Sequence, residues 1–115
     1  LDHVRVATKV NHAIDVLNAE LVEGWAFAPA GLAAIHVLVD GKAVGTASHG
    51  RSRPDVQKAY DGAAGSLDCG FSFRFPDGPF TRAACDVALS FELASGARVA
   101  SRSTTVRHEH NERPR

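Results

Sequence analysis

Residues 23–45, EGWAFAPAGLAAIHVLVDGKAVG, constrain the fold more than any other stretch of the chain. Residues 33–39 are apolar and rich in β-branched side chains, interrupted only by His36, and lie between Gly31 and Asp40-Gly41. Such a run, closed by turn residues, predicts a mostly buried strand. Asp-Gly suits a tight hairpin turn, because glycine takes positive φ at no steric cost and aspartate tolerates it. Residues 42–48 then return as the partner strand. A two-residue loop sets Val37 opposite Val44, with both on one face. Trp25 and Phe27 alternate on the preceding strand, so the expectation is that they fill the core beneath this hairpin, with Trp25 as an anchor.

The rest of the chain repeats the theme. Residues 1–10 alternate loosely and read as an edge or lead-in, and residues 13–17 as a short strand with Ile14 and Val16 on one face. Asn18-Ala19 turns it into a strand over residues 20–28, where Gly24 lets a ring or another backbone lie close. Phe71, Phe73 and Phe75 alternate with Ser72 and Arg74, which is period two with one buried face. Cys85, Val87, Leu89, Phe91 and Leu93 alternate with Asp86, Ala88, Ser90 and Glu92, the cleanest strand pattern in the sequence. Ala94-Ser95-Gly96 turns that strand into residues 97–106, whose weaker alternation suggests a position near an edge. About seven short strands at spacings of roughly ten residues predict an antiparallel β-sandwich, with a barrel as the alternative.

Only residues 49–65 break the pattern. Ser52-Arg53-Pro54-Asp55 fits a capping box, followed by Val56, Ala59 and Tyr60 on one face of a short helical turn. The final residues 107–115, RHEHNERPR, form a polar tail with no apolar surface to bury. The expected organisation is therefore one domain over residues 1–106 and a disordered tail over 107–115. With 115 residues and 44% hydrophobic side chains, the chain has material for one core. It begins with Leu1 and contains no methionine, as expected of a piece cut from a longer protein.

Thirteen basic and thirteen acidic residues cancel. No surplus of Lys and Arg is available to neutralise phosphates, so nucleic acid is not an expected partner. No apolar run reaches the ~20 residues of a spanning helix, so membrane insertion is not expected. The two cysteines, Cys69 and Cys85, open separate strands and read as two buried thiols in preference to a bridge. His108 and His110 lie in a polar tail without the three or four scaffolded ligands of a metal site, and no metal or cofactor is expected. No serine or cysteine sits in a nucleophile signature, and a small sandwich offers paired carboxylates little cleft, so no catalytic residue is assigned. His36 should point away from Ile35 and Val37 as a partly exposed residue.

Gly24-Trp25-Ala26, Ile35-x-Val37-x-Val39-Asp40-Gly41, Val44-Gly45, Arg53-x-Asp55-Val56 and Gly70-Phe71-x-Phe73 together resemble a bacterial immunoglobulin-like module. Such modules are appended to glycosyltransferases, methyltransferases and other envelope-polysaccharide or surface proteins. The resemblance runs from about residue 21 to residue 99. It implies an immunoglobulin-like sandwich with a non-catalytic accessory role: carbohydrate contact, or docking to a neighbouring domain of the parent protein. It transfers no catalytic residue, and it allows either the bacterial cytoplasm or the cell envelope, according to the parent. A structural or oligomerisation module, pairing with a second copy through a sheet edge or face, is the alternative.

The candidate binding residues are His49, Arg51, Arg53, Asp55 and Tyr60, which concentrate cations, a carboxylate and an aromatic ring on one connection. Sugars are held by aromatic faces and planar hydrogen-bonding groups, and guanidinium and carboxylate groups supply the latter. The competing reading is structural: Asp55 caps its helix, an arginine pairs with it, and Tyr60 packs.

Overall fold

The computed structural model describes residues 10–29, 31–76, 84–101 and 103–107. Among them nine strands and one helix run in the order β1 (Asn11–Leu17), β2 (Leu21–Phe27), β3 (Leu32–Val39), β4 (Lys42–Thr46), β5 (Ser48–Arg51), α1 (Pro54–Ala59), β6 (Gly70–Arg74), β7 (Ala84–Leu93), β8 (Arg98–Ala100) and β9 (Thr104–Arg107). Sheet A has the order β1-β2-β6-β5. Sheet B has the order β4-β3-β7-β8, with β9 also paired to β7, and every strand pairing is antiparallel. The expected residues 1–9 and the tail over 108–115 lie outside the described residues, whereas Arg107 belongs to β9 and pairs with Ala84.

One core joins the two sheets. Val22, Ala26, Phe71 and Phe75 come from sheet A or its immediate continuation, and Ile35, Val37, Val39, Cys85, Val87, Leu89, Phe91 and Val106 come from sheet B. β7 behaves as its alternation predicts, with all five apolar side chains buried. The His12 ring of β1 reaches across to Phe91, with centroids 4.8 Å apart.

The β3–β4 hairpin has the expected two-residue turn, with φ of 52° at Asp40 and 83° at Gly41, the pattern of a type I′ turn. The Val37–Val44 pairing is not found. Val39 faces Lys42 and Leu38 faces Ala43, but Val37 faces Gly45, so Val44 is the extra residue of a bulge. Gly45 is required at that register, because a Cβ there would lie 2.5 Å from the Phe73 ring.

Two strands more than expected arise from two breaks. Ala47, whose amide donates to the Ile35 carbonyl at 2.8 Å, is buried where the chain leaves sheet B and enters sheet A, so the expected strand over 42–48 becomes β4 and β5. The expected strand over 97–106 splits into β8 and β9. Ser101 bridges the break, donating its amide to the Leu89 carbonyl and accepting the Leu89 amide on its hydroxyl. A second bulge, at Asp15, also corrects the sequence reading. Ile14 pairs with Gly24 and packs on the core, whereas Val16 pairs with Glu23 and is 37% exposed.

Cys69 and Cys85 are both buried as thiols, with no disulfide between them. The Cys69 thiol donates to the Ser66 carbonyl at 3.1 Å, and burial pushes its pKa up. His36 is partly exposed on the outer face of sheet B, with Nε2 2.9 Å from Glu92 Oε1. That hydrogen bond holds the Glu92 carboxyl below the usual carboxylate range. No helix among the described residues is long and apolar enough to cross a membrane.

Candidate functional site

On β2, Val22 and Ala26 point into the core, so period two sends Glu23, Trp25 and Phe27 to the opposite, outer face of sheet A. Trp25 and Phe27 therefore lie away from the β3–β4 hairpin, contrary to expectation. Phe27, Val56 of α1 and Cys69 form a separate buried cluster, and Trp25 is half-buried against it. Tyr60, just past α1 and 40% exposed, closes this cluster. Its ring stands edge-on to Phe27 at 5.1 Å and to Trp25 at 5.5 Å. Such edge contacts add to simple burial. Residues 54–69 thus form a second layer over one end of sheet A.

The other end of the same face is polar. Gly24 brings β1 close, since a Cβ there would collide with the Ala13 carbonyl oxygen. Gly70 does the same for the arginines: a Cβ would lie 2.9 Å from Arg51 Cβ and 3.2 Å from Arg53 Cγ. With hydrogen in place of a methyl at Gly70, both arginine stems lie down on the sheet. A groove of about 250 Å³ results, lined by Asp15, Glu23, Arg51, Ser52 and Arg53 over the backbone of Gly24 and Gly70.

Arg53 is the fixed member of the groove. Its Nε and Nη2 donate to the two oxygens of Asp55 at 3.0 and 2.8 Å, and Nη1 donates to Asp15 Oδ2 at 3.0 Å. Its backbone amide donates to the Leu67 carbonyl. The two-pronged pair with Asp55 is the geometry in which guanidinium and carboxylate bind best. It raises the Arg53 pKa further and holds Asp55 below the usual carboxylate range. The expected capping box is absent. Arg53, not Ser52, is the N-cap of α1, no side chain caps the helix, and Pro54 occupies its first turn. The Asp55 carboxylate is engaged by Arg53 instead.

Arg51 is held far less. Its side chain is 62% exposed, and Nη1 lies 3.8 Å from Glu23 Oε2, too long for a hydrogen bond. Glu23 Oε2 also accepts from the Ser72 hydroxyl at 3.1 Å.

The five sequence candidates thus divide. Arg51 and Arg53 share the groove, Asp55 orients Arg53, and Tyr60 packs on Trp25 and Phe27. His49 stands apart on β5, lining a hollow with Ala28, Leu32, Ala64 and Asp68. Sequence reasoning missed Asp15 and Glu23 as neighbours of the arginines. Glu23 was accessible, since it shares the period of Trp25 and Phe27. Asp15 was not, because Arg53 lies thirty-eight residues away and only the pairing of strands brings the two together. Among the described residues no group of three or more His, Cys, Asp or Glu side chains is placed to hold a metal ion. Comparison with protein-family models, with curated proteins and with solved structures yields no match.

Proposed function

We propose that the chain is a non-catalytic, immunoglobulin-like accessory module of a larger bacterial protein, contacting carbohydrate through the outer face of sheet A. The supporting observation is the pairing of an exposed guanidinium, Arg51, with a carboxylate it does not quite reach, Glu23, beside a rigid Arg53–Asp55 pair. Trp25 and Tyr60 lie on the same side of the sheet, so planar donors, acceptors and aromatic surface share one face. A pre-organised Arg53 lowers the ordering cost of binding.

Pairing with a second copy through a sheet edge ranks lower. Three edge strands, β1, β4 and β5, carry bulges at Asp15, Val44 and Gly50, and bulged edges discourage strand addition, which leaves the β8–β9 edge of sheet B for such pairing.

A glycan array probed with the chain and with its Arg51→Ala variant tests the proposal. The expected result is a glycan signal that the variant weakens by ~1–2 kcal/mol. Retention of the parent's own enzyme domain without any glycan signal would move the function to domain docking. A dimer that strengthens with concentration, with neither activity, would establish self-association in its place.

A further inference from the structure

We infer that the groove on sheet A takes a neutral sugar unit and discriminates against acidic ones. This rests on the carbohydrate reading of the same face and narrows it to a ligand class. The first ground is charge. Asp15, Glu23 and Asp55 stand against Arg51 and Arg53, so among the described residues the groove has no surplus positive charge with which to attract a uronate or a sulfate. Arg74 lies beyond Ser72 on β6 and does not line the groove. Arg53 is already neutralised by two carboxylates, leaving Arg51, among the described residues of the groove, to meet an anion, with Glu23 beside it to repel one.

The second ground is distance. Arg51 Nη1 and Glu23 Oε2 are 3.8 Å apart, and one hydroxyl oxygen placed ~2.8 Å from each satisfies both. A sugar hydroxyl accepts from the guanidinium with a lone pair and donates its proton to the carboxylate. A ligand carboxylate has no proton to give, so it cannot bridge the two groups in this way and is repelled by Glu23. Size agrees: about 250 Å³ is small beside the ~300–1,000 Å³ of sites for drug-sized ligands, and suits a single ring better than an extended chain.

The test is a titration of the ¹⁵N-labelled chain with maltotriose, cellotriose and chitotriose, and separately with trigalacturonate, at one ionic strength. The amide signals of Gly24, Gly70 and Arg51 report on the groove. At least one neutral trisaccharide is expected to move them, with trigalacturonate binding roughly tenfold or more weakly. Glu23→Gln, which keeps the shape and removes the charge, is expected to weaken the neutral ligand by roughly fivefold or more and to narrow the discrimination. Tighter binding of trigalacturonate at these amides would overturn the inference and leave the carbohydrate reading standing. Silence of the groove amides with every sugar would overturn both.

Discussion

β7 and β2 are both alternating strands, and they are used in opposite ways. β7 buries Cys85, Val87, Leu89, Phe91 and Leu93 on one face, and its other face carries small and polar residues that are half-buried or exposed. β2 spends small side chains, Val22 and Ala26, on the shared core, and sends Trp25, Phe27 and Glu23 outward. The larger residues of β2 thus build a second layer with residues 54–69, and that layer leaves a groove at its margin. Alternation alone makes a core. Close approaches at Gly24 and Gly70 then bring charged side chains from three strands and a helix start into one place.

If this contrast is right, Phe91→Ala should be more damaging than any single truncation on the outer face of sheet A. A fully buried ring between the sheets leaves a cavity costing ~3–5 kcal/mol, read as a lower denaturant midpoint. Gly24→Val comes next, at ~2–4 kcal/mol, because the new side chain meets the β1 backbone, which cannot move aside without breaking strand pairing. Trp25→Ala should cost less, ~1–3 kcal/mol, since the ring is half-buried in the smaller cluster. A Trp25 cost equal to that of Phe91 would mean that the outer layer is as integral to folding as the shared core.

These expectations also mark what the sequence made legible. The Asp40-Gly41 hairpin, the β7 face and the phenylalanine stripe of β6 follow from local periodicity and turn chemistry, which act within a few residues. Missed were features decided between strands: the bulges at Asp15 and Val44, the crossing at Ala47, and the face to which Trp25 belongs. Trp25 and Phe27 sit on a strand with apolar residues in both periods, so hydrophobicity could not say which face met the other sheet. In the site, the Arg53–Asp55 pair was accessible from spacing. Asp15, thirty-eight residues before Arg53, became its partner only through the fold.

Acid should sharpen the comparison further. Asp55 and Glu92 both have carboxyl pKa values below their ordinary ones, set chiefly by hydrogen bonds from Arg53 and His36. Their stabilising contribution is present above the unfolded-state values of ~3.9 and ~4.3, and is lost as pH falls through the lower folded-state values. Asp55→Asn and Glu92→Gln should each flatten the decline of the urea midpoint between pH 5 and pH 2.5. An unchanged slope for Asp55→Asn would mean that its pair with Arg53 is not kept in solution.

The smallest expected stability effect belongs to the residue most concerned with function. Arg53→Ala removes hydrogen bonds to two carboxylates on separate elements and should cost ~1–2 kcal/mol, discounted because the pair is solvent-exposed. Arg51→Ala should stay within ~0.5 kcal/mol of the unaltered chain. The most direct measurement is therefore stability and glycan affinity determined side by side for Arg51→Ala. The account predicts an unchanged denaturant midpoint with affinity reduced roughly fivefold or more. A loss of stability in proportion to any loss of binding, or full affinity without the guanidinium, would contradict it.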